Sequence, residues 1–258
     1  MWGGTDESQS FATIRSALDH GINVIDTAPV YGFGRSDEIV GKAIAKSGLR
    51  SKVIIATKVG LEWLDGEILR NASRNRIMHE IEDSLRRLGT DRIDIYQIHW
   101  PDPQSPIEET AEMMHILFKE GKIGAIGVSN FSVVQMEQFR RFAPIHVLQP
   151  PYNLFEREIE PDILPYCRKN NIATFGYGAF CRGLLSGRMR EDTTFSADDL
   201  RRTDPKFQQP RFGQYVAAVK RLDHLAQASF GKRVIHLAVR WILDQGITTA
   251  LWGARHPG

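Results

Sequence analysis

The sequence predicts an α/β fold built on a parallel sheet. Short runs rich in Val and Ile alternate with amphipathic helical segments along the whole chain. This alternation, repeating at roughly 20–40 residues, is typical of strand–helix units that form parallel sheets. The runs are apolar along most of their length, which indicates strands covered on both faces. Right-handed repetition of such units gives either a doubly wound sheet or a barrel.

A (β/α)8 barrel is the architecture that the polar residues favour. No Gly-x-Gly-x-x-Gly follows any predicted strand, which weakens the case for a dinucleotide-binding doubly wound sheet. Polar side chains instead follow nearly all of the predicted strands, and barrel active sites are built at that end of the strands. We expect one barrel domain over residues 1–258.

The individual elements follow from apolar spacing and from helix start and stop signals. The predicted strands are 22–26, 53–57, 93–98, 123–128, 146–149, 172–177 and 248–252. The predicted helices lie at about 8–20, 36–48, 74–88, 106–121, 132–142, 161–170, 213–229 and 234–245. Ser132 with Gln135, and Ser105 with Glu108, are interpreted as capping boxes. Residues 178–212, rich in Gly and Pro, are predicted to be irregular.

The two ends of the chain do not match a complete barrel of eight strands and eight helices. The predicted order opens with a helix and closes on a strand, whereas a full barrel has a strand before its first helix and a helix after its last strand. We therefore expect a barrel that lacks its first strand and last helix, a fragment at both ends. Residues 1–4 are interpreted as the tail of the missing strand, and 256–258 as the turn into the missing helix.

Composition excludes several classes of function. The chain has 33 Lys plus Arg against 31 Asp plus Glu, a net charge of +2, which gives no reason to expect a nucleic-acid partner. No apolar run is long enough to span a membrane, and the first residues do not form a signal peptide. Only Cys167 and Cys181 are present, which indicates a reducing compartment. We expect a cytoplasmic protein.

Four residues near predicted strand ends are the candidate catalytic group. Asp26 ends a buried strand, where a carboxylate needs a partner, and Tyr31 follows on a Pro/Gly loop. Lys58 ends the next strand and would compensate Asp26, while its charge would favour the phenolate form of Tyr31. A tyrosine in that position can give a proton to a carbonyl oxygen, and His99 can orient the carbonyl.

Other kinds of chemistry have less support. No nucleophile has an adjacent base, and the histidines are too dispersed for a metal site. Proton transfer without covalent or metal chemistry indicates carbonyl reduction with hydride from a cofactor. Each residue also has a plain structural interpretation: Asp26 as a cap, Lys58 as a solvated strand end, His99 as a packing residue and Tyr31 as a loop aromatic. Their joint position at strand ends favours the functional interpretation.

Eight short motifs resemble the aldo-keto reductase family, in family order across the whole chain. They lie at 21–28 with Tyr31-Gly32, 56–58, 98–101, 121–123, 127–131, 149–153, 183–187 and 253–255. The resemblance implies a (β/α)8 TIM barrel and a catalytic tetrad of Asp26, Tyr31, Lys58 and His99. It implies an NADP-dependent oxidoreductase that interconverts aldehydes or ketones with alcohols, acting on small molecules.

The resemblance also implies a set of cofactor-binding residues. Ser129, Asn130 and Gln149 would hold the nicotinamide carboxamide, and Tyr177 would stack on its ring. Arg182, Gly183 and Leu184 would lie along the cofactor's pyrophosphate. Residues 178–182 depart from the Ser-Pro-Leu motif that many family members have here. Gly253 and Ala254 lead to Arg255, which would meet the adenosine 2′-phosphate. Two alternatives stay open at this point: a non-catalytic NADP-binding regulatory subunit, and a barrel enzyme for phosphorylated substrates in which Arg255 binds substrate.

Overall fold

The computed structural model describes residues 6–64, 66–197, 199–254 and 256–257. The described residues divide into two compact units. The larger contains those within Thr5–Pro150, Asp162–Thr174 and Ala254–Gly258, and the smaller those within Pro151–Pro161 and Phe175–Gly253. The predictions for residues 1–4 and for Arg255 lie outside the described residues.

The described elements alternate between helices and strands. The helices are α1 (Glu7–Asp19), α2 (Arg35–Ser47), α3 (Arg74–Leu88), α4 (Ile107–Lys119), α5 (Val133–Arg140), α6 (Ile163–Lys169), α7 (Arg211–Phe230) and α8 (Val234–Asp244). The strands are β1 (Val24–Asp26), β2 (Ile54–Val59), β3 (Leu61–Leu64), β4 (Glu67–Arg70), β5 (Ile95–Ile98), β6 (Ile126–Ser129), β7 (Val147–Gln149), β8 (Ala173–Gly176) and β9 (Thr249–Ala250). Each of the seven predicted strands is present with slightly different bounds.

The larger unit is organised by a parallel sheet in the order β1-β2-β5-β6-β7-β8. Its register places several of the polar residues at the strand ends next to each other. Lys58 pairs with Gln97, Gln97 with Gly127, and Ser129 with Gln149. In the smaller unit the end of β8 pairs in parallel with β9. The predicted α/β class with a parallel sheet is confirmed.

A hairpin was not predicted. Strands β3 and β4 pair antiparallel, with Leu61 opposite Arg70 and Trp63 opposite Ile68. The Asp-Gly dipeptide at 65–66 is a common hairpin turn signal, so the sequence carried the information. The hairpin follows directly on β2, the strand that carries Lys58.

Side-chain caps are present at the starts of α1, α3, α5 and α6. Ser73 caps α3 by accepting a hydrogen bond from the Arg76 backbone N–H, and the Ser132–Gln135 capping box of α5 is confirmed. The predicted Ser105–Glu108 box is wrong: Pro106 is the cap residue of α4, and no side chain caps that end. The Ser105 hydroxyl donates instead to Asp102 Oδ2 at 2.6 Å.

Each unit has its own apolar core. In the larger unit the buried faces of α3, α4 and α5 pack with the parallel strands around side chains such as Ile55, Tyr96 and Phe139. The smaller unit packs Cys181, Leu184, Phe212 and Ala238 together with further apolar side chains. Burial raises the pKa of the Cys167 thiol to about 12. The pKa of Cys181 also rises to about 12, chiefly through burial. Neither thiol is a reactive nucleophile at neutral pH.

A helix that crosses a membrane needs about 20 mostly apolar residues. None of those in the described part of the chain has the length and hydropathy that a membrane crossing requires.

Candidate active site

A buried ion pair joins the ends of two neighbouring strands in the larger unit. Lys58 Nζ lies 2.6 Å from Asp26 Oδ2, and it also donates to the Thr27 carbonyl oxygen at 2.9 Å. The Lys58 side chain is 1% exposed and that of Asp26 15% exposed. A lysine so deeply buried needs a charged partner because its desolvation is costly. The sequence prediction that Lys58 compensates Asp26 is supported by this contact.

The charge of Lys58 is maintained by its neighbours. Burial alone would lower the pKa of Lys58, but the negative charge of Asp26 is the main interaction that raises it, so the net pKa lies above the usual value. Asp37, buried nearby, adds to the same effect. The lysine therefore stays an ammonium at neutral pH and supplies a positive field inside the site.

Tyr31 lies on the loop between β1 and α2. Three successive residues after it, Gly32, Phe33 and Gly34, have positive φ, which turns the chain sharply into α2. A Cβ at Gly34 would lie 2.9 Å from Arg87 Nε, so the end of the Arg87 side chain would have to move to accommodate a larger residue. The Tyr31 ring centroid lies 5.3 Å from Lys58 Nζ. Tyr31 is 37% exposed, so a ligand can reach it.

His99 completes the group that was predicted from the sequence. Its ring meets the Tyr31 ring edge-on, with centroids 5.8 Å apart and planes at 84°. Burial, and then the charge of Lys58, lower the pKa of His99 to about 3. The imidazole is therefore neutral at physiological pH, which suits a hydrogen-bond partner for a carbonyl rather than an acid.

The depressed pKa of His99 makes stability depend on pH. A histidine in the unfolded chain has a pKa of about 6.5. Between pH 6.5 and about 3, His99 is therefore protonated in the unfolded chain and neutral in the folded chain. The contribution of His99 to the free energy of unfolding is fully present above pH 6.5. It is lost on acidification, and the free energy of unfolding then falls by up to about 1.4 kcal/mol per pH unit. Urea unfolding of the wild type and His99→Gln at several pH values measures it. Equal slopes for the two proteins would contradict the prediction.

Three further predicted residues form a connected set at the ends of β6 and β7. Ser129 Oγ donates to the Gln149 carbonyl oxygen at 2.8 Å and accepts from Asn130 Nδ2 at 3.0 Å. Asn130 adopts a positive φ of 62° and also donates to the His99 carbonyl oxygen at 3.1 Å. Gln149 Nε2 donates to Asp26 Oδ1 at 2.8 Å. The set is therefore tied both to His99 and to the ion pair.

Gln97 was not predicted to be part of the site. Its side chain is fully buried on β5, and its Nε2 donates to Asp26 Oδ1 at 3.3 Å. Two signals could have found it. Gln97 is two residues before His99 and so shares its face of the strand, and it interrupts an otherwise apolar run.

The remaining residues predicted to bind the cofactor have the following local conformations and contacts. Tyr177 is half-buried and bridges to Pro151, and Leu184 is buried in the smaller unit's core. Arg182 has a positive φ of 52° and its Nη1 lies 2.9 Å from Asp204 Oδ2. Gly183 has a positive φ of 93°, and Gly253 and Ala254 are exposed. Their roles toward a cofactor stay predictions.

A metal site would need several ligating side chains close together within the described ranges. No group of three or more His, Cys, Asp or Glu side chains there is arranged to hold a metal ion.

Comparison with known proteins identifies the family. The family model described as "Aldo/keto reductase family" matches residues 1–258. The chain belongs to the aldo/keto reductase family. It is accordingly an oxidoreductase, and the predicted TIM-barrel type of fold is that of its aldo/keto reductase relatives.

Two relatives are similar over the full length of this aldo/keto reductase chain. "Aldo-keto reductase YhdN" of Bacillus subtilis (strain 168) is 62% identical over 259 residues, covering 100% of this chain and 78% of the relative. The solved structure of the glycerol dehydrogenase AKR11B4 from Gluconobacter oxydans is 54% identical, with a TM-score of 0.93, covering 100% of this chain and 79% of that one.

Two other aldo/keto reductase relatives carry names that mention a cofactor. A crystal structure from Klebsiella pneumoniae, in complex with NADP and acetate, is 31% identical with a TM-score of 0.74, covering 97% of this chain and 76% of that one. The "NADH-specific methylglyoxal reductase" of Escherichia coli (strain K12) is 34% identical over 271 residues, covering 99% of this chain and 82% of the relative.

Proposed function

We propose that this aldo/keto reductase is NADP-dependent and interconverts small aldehydes or ketones with alcohols, with Tyr31 as the general acid and base. The observation that carries the proposal is the fully buried Lys58, which is paired with Asp26 and has its ammonium 5.3 Å from the Tyr31 ring centroid. A buried cation beside an exposed phenol stabilises the phenolate that forms when the hydroxyl gives up its proton.

The roles of the residues follow from their protonation states. A bound nicotinamide cofactor supplies the hydride that reaches the carbonyl carbon. Tyr31 Oη donates its proton to the carbonyl oxygen, and in the oxidation direction it takes the proton from the alcohol. Lys58 stabilises the phenolate, and Asp26 keeps Lys58 charged. Neutral His99, against the Tyr31 ring, orients the carbonyl oxygen by hydrogen bond.

The polar set at the ends of β6 and β7 suits the carboxamide of a nicotinamide. The NH2 of a primary amide donates two hydrogen bonds, so it needs acceptor oxygens opposite it. Ser129 and Asn130 bring a hydroxyl and an amide, held in place by the Gln149 and His99 carbonyl oxygens. The Gln149 amide nitrogen is occupied by Asp26, so its Oε1 is the atom that accepts from a ligand N–H. This chemistry supports binding of the cofactor.

The experiment is a cofactor titration followed by a substrate screen. Fluorescence titration of the purified chain with NADPH tests binding. Consumption of NADPH by absorbance is then followed with a panel of small aldehydes and ketones, and NADP reduction is followed with small alcohols, glycerol included. Steady turnover in either direction supports an enzyme. Tight NADPH binding without turnover of any compound would favour a regulatory, cofactor-binding role instead.

Cofactor preference is a separate prediction, made for Arg255. We expect NADPH to bind more tightly than NADH, because a charge-assisted contact between arginine and the 2′-phosphate contributes about 1.5–3 kcal/mol, roughly tenfold or more. Arg255→Ala should remove the preference by weakening NADPH alone. Equal dissociation constants for the two cofactors in the wild type, or tighter NADH binding, would contradict it. Arg15→Ala, an exposed arginine paired with Asp19 on α1, is the matched control.

A further inference from the structure

Gln97 is a buried polar residue to which the proposed chemistry gives no role. Its side chain is completely buried on β5, a strand whose other side chains are apolar apart from the tyrosine hydroxyl. In the register of the parallel sheet it lies opposite Lys58 on β2 and opposite Gly127 on β6. A buried amide costs free energy unless its donors and acceptors are satisfied, so its contacts need a physical account.

The contacts of Gln97 form a closed ring with two site residues. Gln97 Nε2 donates to Asp26 Oδ1 at 3.3 Å, and Gln149 Nε2 donates to the same oxygen at 2.8 Å. Gln149 Nε2 also approaches Gln97 Oε1 at 3.5 Å. Asp26 Oδ1 is thus held by two amides, while Asp26 Oδ2 receives Lys58 Nζ at 2.6 Å.

Gly127 makes the space for this side chain. A Cβ at Gly127 would lie 2.5 Å from Gln97 Cγ and 3.3 Å from Gln97 Cβ and Cδ. Gly127 does not have a positive φ, so its backbone conformation does not require glycine. Glycine weakens a strand interior, and a close approach by another group is one of the reasons for finding it there. Here the approaching group is the side chain of Gln97.

We propose that Gln97 is a positioning residue that aligns the Asp26–Lys58 pair and couples it to Gln149. This inference rests on the proposed function. By holding Oδ1, the two amides direct Oδ2 toward Lys58 and so set the position of the ammonium relative to Tyr31. By accepting from Gln149, Gln97 fixes the rotation of that amide, which sets where its Oε1 points. Catalysis is sensitive to such placement because charges must be correctly arranged before the transition state forms.

The first test replaces Gln97 by a residue of similar length without donors or acceptors. For Gln97→Met we expect the single-turnover rate of NADPH oxidation to fall about tenfold, as for loss of one hydrogen bond to a charged group, while the NADPH dissociation constant changes less than about threefold. Gln138→Met, on the exposed side of α5, is the matched control and should leave both unchanged. A merely structural role would not separate the two quantities.

The second test uses a pH profile with Gln97→Glu, which keeps the shape of the side chain. Asp26 and Lys58 face this position directly, while Asp37, Tyr31 and His99 lie within electrostatic reach of Lys58. The introduced side chain repels Asp26 when it is a carboxylate, whereas its protonated form donates an O–H to Asp26 Oδ1. We expect the rate of this variant relative to wild type to rise at least severalfold from pH 8 to pH 6. A ratio that stays constant over this range would count against the proposed contact.

The third test changes Gly127, the glycine against which the Gln97 side chain lies. Gly127→Ala should reproduce the Gln97→Met loss of rate, because the added methyl displaces the Gln97 side chain. In a Gln97→Ala background the same change should cost little further activity, since the clash with Cγ is gone. Full additivity of the two changes, or a Gln97→Met rate equal to wild type, would overturn the proposal. A wild type without NADPH turnover would instead overturn the proposed function.

Discussion

Tyr31→Phe should abolish carbonyl reduction while leaving NADPH binding close to normal. The change removes only the hydroxyl, and the ring that lies against His99 and Lys58 remains. Loss of a general acid typically lowers the rate about 10²–10⁴-fold. The measurement is kcat for the best aldehyde of the screen, together with the NADPH dissociation constant by fluorescence titration.

A matched control separates this effect from a general effect of removing a tyrosine hydroxyl. Half-buried Tyr166 on α6 accepts a solvent-exposed hydrogen bond from Arg140, so Tyr166→Phe should retain full activity. A Tyr31→Phe enzyme that turns over at a near-normal rate would remove Tyr31 from the mechanism and with it the role assigned to Lys58.

Lys58→Met should be the most destabilising single change at the site. Removing one partner of a buried ion pair leaves the other charge uncompensated, which typically costs about 3–5 kcal/mol. Asp26 would be left with the Gln97 and Gln149 amides as its donors at that site. The free energy of unfolding from urea denaturation at pH 7 measures the loss, and turnover should disappear at the same time because the positive field beside Tyr31 is gone.

Two comparisons make this result specific. Lys122 pairs with Glu82 at an exposed position, so Lys122→Met should change the free energy of unfolding by no more than about 1 kcal/mol. The double variant Asp26→Asn with Lys58→Met removes both charges and should be less destabilised than the sum of the single variants. A Lys58→Met protein as stable as the Lys122→Met control would contradict the burial argument.

Much of the site could be predicted because its main residues come at strand ends. Asp26, Lys58 and Gln149 each close a short apolar run, and a parallel sheet brings such ends to one edge. The seven parallel strands were predictable for the same reason, since their apolar runs are bounded by clear turn signals. The chemistry of the ion pair then follows from the cost of burying a charge.

The parts that could not be predicted depend on contacts between distant positions. The hydrogen bond from Gln149 to Asp26 joins residues 123 apart in the chain, and no local pattern specifies which way that amide turns. Gln97 sits inside an apolar strand and carries no charge, so its own neighbourhood gives only a weak signal that it is part of the site. The Ser105 prediction failed because α4 begins at Ile107 with Pro106 as its cap, which places Ser105 one residue before the capping position.

The residues of the proposed site come partly from strands and partly from an exposed loop. Lys58 and Gln97 are buried on β2 and β5, and Asp26 ends the half-buried β1, whereas Tyr31 and Phe33 lie on a solvent-facing loop. Loops tolerate change far better than the strands beneath them. Directed evolution toward new aldehydes can therefore randomise the exterior of this loop around a retained Tyr31, while libraries that touch the strand positions would mostly yield chains that do not fold.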